Sequence, residues 1–205
     1  MTEMRASAFR NPPATTGRHR RIGILGGSFN PAHAGHLHIS RHALDRLRLD
    51  EVWWLVSPQN PLKPIDGMAT LEDRMNGARA LTQGSKIRVS DLEREIGTQY
   101  TADTLKALKG RFPRCRFVWI MGADNLIEIN HWNKWTAIFE TVPVAVLARP
   151  DYSFKALVST AAKRFQRYRI KEIRASALAD SKPPAWVFLE IPLSAVSATL
   201  IRTGR

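Results

Sequence analysis

A single cysteine in 205 residues, Cys115, excludes an intramolecular disulfide framework and fits a reducing cytoplasm. Flanked by Arg114 and Arg116, it reads as an incidental thiol ahead of a strand. No apolar run approaches membrane-spanning length, so no membrane association is expected. The basic amino terminus lacks the apolar stretch of a secretory signal. Internal repeats are missing, as is any linker that would split the chain into two folding units. Acidic residues are scarce, 18 against 31 Lys and Arg, which leaves a net charge of +13. Nucleic acid and multiply phosphorylated small ligands would both suit that charge. The basic clusters at 1–21 and 155–174 carry no aromatic-rich RNA-binding signature, so the second reads as a solvated helical surface and no nucleic acid partner is expected.

What the chain does contain is an alternation of apolar runs and helical patterns. Strands are expected at Arg21–Leu25, Glu51–Val56, Lys86–Val89, Phe117–Met121, Pro143–Leu147 and Trp186–Leu189. Between them, Leu37, Leu44 and Leu47 recur at helical spacing. Thr70 is placed to cap a helix, with Asp73 reaching back as in a capping box. Thr101 to Leu108 gives a further helix, and one long helix is expected over much of 154–168. Three prolines keep Ser57–Pro64 out of helix or central strand. Strands alternating with helices predict an α/β fold, a Rossmann-like doubly wound parallel sheet in a single domain over 21–205. Residues 1–20 are expected to form a flexible basic tail.

The most informative stretch is the first strand-to-helix turn, Gly26-Gly27-Ser28-Phe29-Asn30-Pro31-Ala32-His33-Ala34-Gly35-His36. Such a turn lies at the carboxyl edge of an open α/β sheet, where ligands bind. Glycines let backbone N–H groups approach a phosphate, and a following helix adds unpaired donors and a positive dipole end. His33 and His36, three apart, share one face of a helical turn and can stabilise charge developing during phosphoryl or nucleotidyl transfer. Neither a Walker A loop nor a G-x-G-x-x-G fingerprint carries such a histidine pair.

Other strand ends carry polar groups suited to the same ligand. Gly122-Ala123-Asp124 follows the Phe117–Met121 strand, so Asp124 can hold a ribose hydroxyl, orient a metal or cap the next helix. Arg149 ends the following strand and can meet an anion bidentately, or lie in a surface turn. Near the carboxyl terminus, Ser197 and Thr199 sit where a helix would start, and Arg202 would face the same way from its first turns.

The eleven residues from Gly26 to His36 resemble the first signature of the nucleotidyltransferase α/β-phosphodiesterase superfamily, with Asn30 where aspartate is frequent. Val196-Ser197-Ala198-Thr199-Leu200-Ile201-Arg202 resembles its second signature. Within it, Tyr100-Thr101-Ala102-Asp103-Thr104-Leu105 and Gly122-Ala123-Asp124-Asn125-Leu126, followed by His131-Trp132-Asn133-Lys134-Trp135, resemble segments of bacterial nicotinate-nucleotide adenylyltransferases. Ala148-Arg149-Pro150 resembles a further element, with Asp151 in place of its glycine. The resemblance spans roughly residues 20–202.

It implies transfer of AMP from ATP, with Mg²⁺, to nicotinate mononucleotide in NAD biosynthesis, in the cytoplasm, and leaves oligomerisation open. His33, His36 and Arg202 become the expected catalytic residues. Gly26, Gly27, Ser28, Phe29, Gly35, Gly122, Asp124, Ser197 and Thr199 are expected at ATP, while Lys63, Thr101, Trp132, Asn133 and Arg149 are expected at the mononucleotide. Trp132 would stack on the pyridine ring, Thr101 would help hold its carboxylate, and the loop carrying Lys63 would cover the substrate. No dedicated protein site for the metal is expected. The rival readings are a nicotinamide mononucleotide or phosphopantetheine adenylyltransferase, or a nucleotide- or RNA-binding protein that keeps the fold without turnover.

Overall fold

Six short apolar segments become the strands of one parallel sheet: β1 (Arg20–Gly27), β2 (Glu51–Val56), β3 (Ile87–Ser90), β4 (Cys115–Gly122), β5 (Val144–Leu147) and β6 (Trp186–Leu189). The computed structural model describes residues 19–58, 67–150 and 152–192. The expected tail therefore lies almost wholly outside the described residues.

Strand order is β3-β2-β1-β4-β5-β6, and every pair is parallel. Order reverses between β1 and β4, which diverge in their connections and leave a crevice at their carboxyl ends. Ile24 sits at the centre, level with Trp53 on one side and Trp119 on the other.

The connections are helical: α1 (Ala34–Arg46), α2 (Leu71–Thr82), α3 (Leu92–Glu95), α4 (Thr101–Arg111), α5 (Ala123–Glu128), α6 (Trp135–Thr141), α7 (Ser153–Leu157) and α8 (Thr160–Arg164). Two adjacent tryptophans show how helices cover both faces. The Trp54 indole donates to Ser40 Oγ of α1 at 2.8 Å. The Trp53 ring meets Phe112, just past α4, edge-on at 5.2 Å. Neighbouring strand residues point to opposite faces, so α1 and the end of α4 lie on opposite sides of the sheet. All six β2 residues are accordingly buried. Continuous apolar strands covered on both faces are the pattern of a parallel sheet.

Two local expectations need correction. The helix expected over 154–168 is broken into α7, α8 and a 3₁₀ turn at Gln166–Tyr168. The Ser159 side chain accepts the Ala162 N–H and starts a new helix, which interrupts the first. At α2, Thr70 does cap the helix, accepting the Asp73 N–H at 3.1 Å. The Asp73 carboxylate, however, accepts from the Thr70 hydroxyl at 2.6 Å, so the reciprocal arm of a capping box is replaced by a side-chain pair.

Candidate active site

β1 delivers Gly26 and Gly27 to the crevice. A Cβ on Gly26 would stand 2.6 Å from Trp119 Cη2, so only glycine lets this strand end pass the β4 tryptophan. The chain then turns through Phe29, whose φ of +47° is costly for an aromatic residue. Packing offsets that strain: the ring is buried and stacks on Trp54 at 4.9 Å. It also supports His36 from 4.7 Å, which explains why the turn needs an aromatic there.

His33 occupies the cap position of α1 and accepts the Gly35 N–H on Nδ1 at 3.1 Å. His36 reaches back, its Nδ1 accepting the His33 N–H at 3.2 Å. The two histidines thus form a reciprocal capping pair with ring centroids 3.9 Å apart. Because each Nδ1 accepts, the ring proton resides on Nε2 in both. Burial, reinforced by the Arg149 guanidinium, lowers the His33 pKa to about 4. His33 is therefore a neutral donor at physiological pH.

Across the crevice, Gly122 ends β4 and caps α5, which puts Asp124 in the first turn rather than at the cap. Asp124 Oδ2 accepts from Arg149 at 2.7 Å. Its Oδ1 is buried and has no hydrogen-bond partner among the described residues. A buried carboxylate oxygen without a donor is costly, and a ligand hydroxyl arriving there would satisfy it. A Cβ on Gly122 would collide first with Asp124 Oδ1 and then approach Arg149 Cδ to 2.9 Å, so this glycine makes room for both partners of the pair.

Gly26 and Gly27 also floor a cavity of about 310 Å³, walled by Thr101 at the start of α4 and by Trp132 and Asn133. Trp132 is half-buried and Asn133 exposed, as a stacking ring beside a polar rim requires. The structure thus gathers Thr101, Trp132 and Asn133 on one cavity. His33, His36, Gly35, Asp124 and Arg149 lie toward the adjoining helix ends, and Arg149 is not part of the cavity wall. Ser28 contributes its carbonyl to the frame of the turn. Lys63, Ser197, Thr199 and Arg202 lie outside the described residues.

Three participants escape a reading of the sequence. Arg74 of α2, only 4% exposed, donates to the carbonyls of Ser28, Ser57, Pro58 and Ala69 at 2.6–3.0 Å. It ties the histidine turn to the end of β2. Nothing local distinguishes this arginine from one on a solvated helix face. Glu93 and Trp119 also line the cavity, and the Trp119 indole N–H is buried without a partner among the described residues. Glu93, within Leu92-Glu93-Arg94-Glu95, has the sequence context of a charged surface turn. Cys115 is buried, and burial raises its pKa to about 11, which makes it a poor nucleophile. Among the described residues, no group of three His, Cys, Asp or Glu side chains could hold a metal ion. No helix among them is long and apolar enough to cross a membrane.

Residues 24–204 match the cytidylyltransferase-like family model. A protein of Parvibaculum lavamentivorans, described as a probable nicotinate-nucleotide adenylyltransferase, is 51% identical over 182 residues, 89% of this chain and 90% of that protein. One of Methylorubrum extorquens strain PA1, with the same description, is 52% identical over 183 residues, 89% of this chain and 99% of its own length. The nicotinic acid mononucleotide adenylyltransferase of Plasmodium falciparum, solved with NaAD, superposes with a TM-score of 0.69 over 90% of this chain and 83% of that one. At 20% identity it bears on the fold alone.

Proposed function

The chain belongs to the cytidylyltransferase-like family and, within it, to the nicotinate-nucleotide adenylyltransferases, and from that premise we propose how it makes nicotinate adenine dinucleotide. The reaction transfers AMP from ATP to nicotinate mononucleotide and releases pyrophosphate. One observation carries the residue assignment: the cavity with Thr101 and Trp132 shares Gly26 and Gly27 with the histidine turn. An aromatic-walled pocket and a phosphate-binding helix start therefore adjoin at the point where strand order reverses.

In this reading the pyridine ring lies on Trp132, with its carboxylate toward Thr101 and Asn133. The mononucleotide 5′-phosphate then faces the histidine turn. One of its oxygens attacks the α-phosphorus of ATP in line, and the bond from that phosphorus to the bridging oxygen breaks. The attacking phosphate is already ionised, so no general base is required. Catalysis is positioning plus stabilisation of charge on the phosphoryl oxygens.

His33, neutral at physiological pH, and His36 contribute Nε2–H donors toward those oxygens. Their Nδ1 atoms are held by backbone N–H groups, so the donors are oriented before substrate arrives. The α1 amino terminus adds backbone donors of its own. Asp124 Oδ1 takes a ribose hydroxyl of ATP, while Arg149 holds the carboxylate in place and adds positive charge beside His33. Ser197, Thr199 and Arg202 would neutralise the departing pyrophosphate, and Lys63 would approach the mononucleotide from the β2–α2 connection. ATP would enter as its Mg²⁺ complex, the ion held mainly by phosphates and water, where it would supply charge neutralisation.

Two substitutions separate the halves of this site. His36→Ala is expected to lower kcat by roughly 10²-fold, equivalent to about 3 kcal/mol of transition-state stabilisation. Trp132→Ala is expected to raise KM for nicotinate mononucleotide while leaving KM for ATP near its original value. Near-normal turnover in the first variant would remove His36 from the chemistry. A change confined to ATP in the second would misplace the pyridine ring.

A further inference from the structure

Glu93 has no role in the transfer described above, yet it stands in the wall of the mononucleotide cavity. It is 7% exposed and forms no ion pair among the described residues. Among the described residues, the donors its side chain meets are hydroxyls: Thr104 Oγ1 at 3.3 Å and that of Ser57 at the end of β2. Thr104 has one proton and three oxygens to serve. Tyr100 O lies at 3.2 Å and Thr98 Oγ1 at 2.9 Å, both closer than Glu93. An ionised Glu93 would thus be poorly solvated in the wall of a cavity that also receives the carboxylate of a nicotinate ring. Two carboxylates sharing one such site do not both ionise.

The nearby charges offer no relief. On its own element Arg94 pairs with Asp91, and Glu95 meets Arg111 of α4 at 3.8 Å. Arg74 of α2 is consumed by carbonyls, including that of Ser57. At the start of α4, Tyr100 lines the cavity and Asp103 is paired with Lys134 at 3.0 Å. His131, across the cavity, is the remaining titratable group in its wall.

Resting on the reading of this cavity as the nicotinate mononucleotide site, we propose that Glu93 is a proton-carrying specificity residue: it is neutral whenever a ring carboxylate occupies the cavity, and binding of the acid acceptor takes up a proton that binding of the amide does not. A neutral Glu93 can donate toward the incoming carboxylate, whereas an ionised one repels it. Burial raises the pKa of Glu93 in the free protein to about 7, so the residue is divided between its two forms near neutrality. The sign follows directly. Below pH 7 the acid acceptor meets a neutral side chain at no cost. Above it, each binding event must first draw a proton from solvent, so preference for the acid falls as pH rises.

The test compares nicotinate and nicotinamide mononucleotide on the intact protein. Both carry the same phosphate, so its titration cancels from their ratio. Calorimetry in buffers of different ionisation enthalpy is expected to show about half a proton more taken up per nicotinate mononucleotide bound at pH 7 than per nicotinamide mononucleotide. The ratio of kcat/KM, acid over amide, is expected to fall about fivefold from pH 7 to 8 and about tenfold more from 8 to 9. Glu93→Gln, permanently neutral, is expected to flatten that ratio. A flat ratio in the unmodified protein, or a slope that survives in Glu93→Gln, overturns the proposal, the latter in favour of His131. Should Glu93→Gln fail to fold, His131→Ala makes the same discrimination: persistent proton uptake supports Glu93, and its loss overturns it. Turnover of both acceptors with a flat ratio defeats only Glu93. No turnover with any acceptor defeats the underlying reading and this one with it.

Discussion

At the scale of single residues, the histidine pair shows how a side chain that caps a helix is also oriented by that bond. The Nδ1 of His33 satisfies a helix-start N–H, and doing so leaves Nε2 as the donor. Burial disfavours the charged ring and the neighbouring Arg149 guanidinium adds to that, which is why the His33 pKa falls to about 4. An unfolded chain has no such constraint and protonates near 6.5. The unfolded state therefore binds the extra proton as pH drops through 6.5, and stability is lost progressively down to about 4. His33→Asn keeps a capping oxygen but cannot titrate. Its thermal midpoint is expected to fall less steeply than that of the unmodified protein between pH 6.5 and 4. Parallel curves would mean that His33 does not carry the buried neutral state described here.

Among elements, Arg74 of α2 ties the end of β2 to the histidine turn. Its guanidinium spreads over carbonyls from three segments, one of them 46 residues away in the histidine turn. Arg74→Met would leave those partly buried acceptors unmatched and is expected to destabilise the protein by roughly 1–3 kcal/mol. Arg74→Lys retains the charge but not the planar fork, so an intermediate loss is expected. Urea unfolding measures both, and two near-neutral values would remove Arg74 from the frame of the site.

The contrast between Arg74 and the histidine turn marks what could be read from the chain. The turn is legible because its determinants are contiguous: glycine where Trp119 crowds the backbone, an aromatic to support His36, and histidines at cap spacing. Most of the strands are legible because burial on both faces makes them largely apolar, as in β4, β5 and β6, while the edge strand β3 is partly exposed and carries Arg88. Arg74 and Glu93 are not, because their meaning depends on backbone and hydroxyl partners supplied by distant segments. Ser159 misleads for a related reason, since a local side-chain bond to Ala162 outweighs helical periodicity across 154–168.

For the molecule as a whole, the parallel order β3-β2-β1-β4-β5-β6 is what brings these parts together. β1 and β4 are adjacent in the sheet but distant in sequence, so the histidine turn and the Gly122–Asp124 turn open onto one crevice. The net charge of +13 suits a molecule whose two substrates and both products are phosphorylated anions. On the proposed reading, the crevice performs adenylyl transfer and the adjoining cavity chooses the acceptor. Steady-state pyrophosphate release with MgATP, compared across nicotinate mononucleotide, nicotinamide mononucleotide and phosphopantetheine, tests it most directly. Strong preference for nicotinate mononucleotide at pH 7 is the predicted result. Equal or better turnover with another acceptor would contradict the assignment of the cavity, and no release with any of the three would contradict the account entirely.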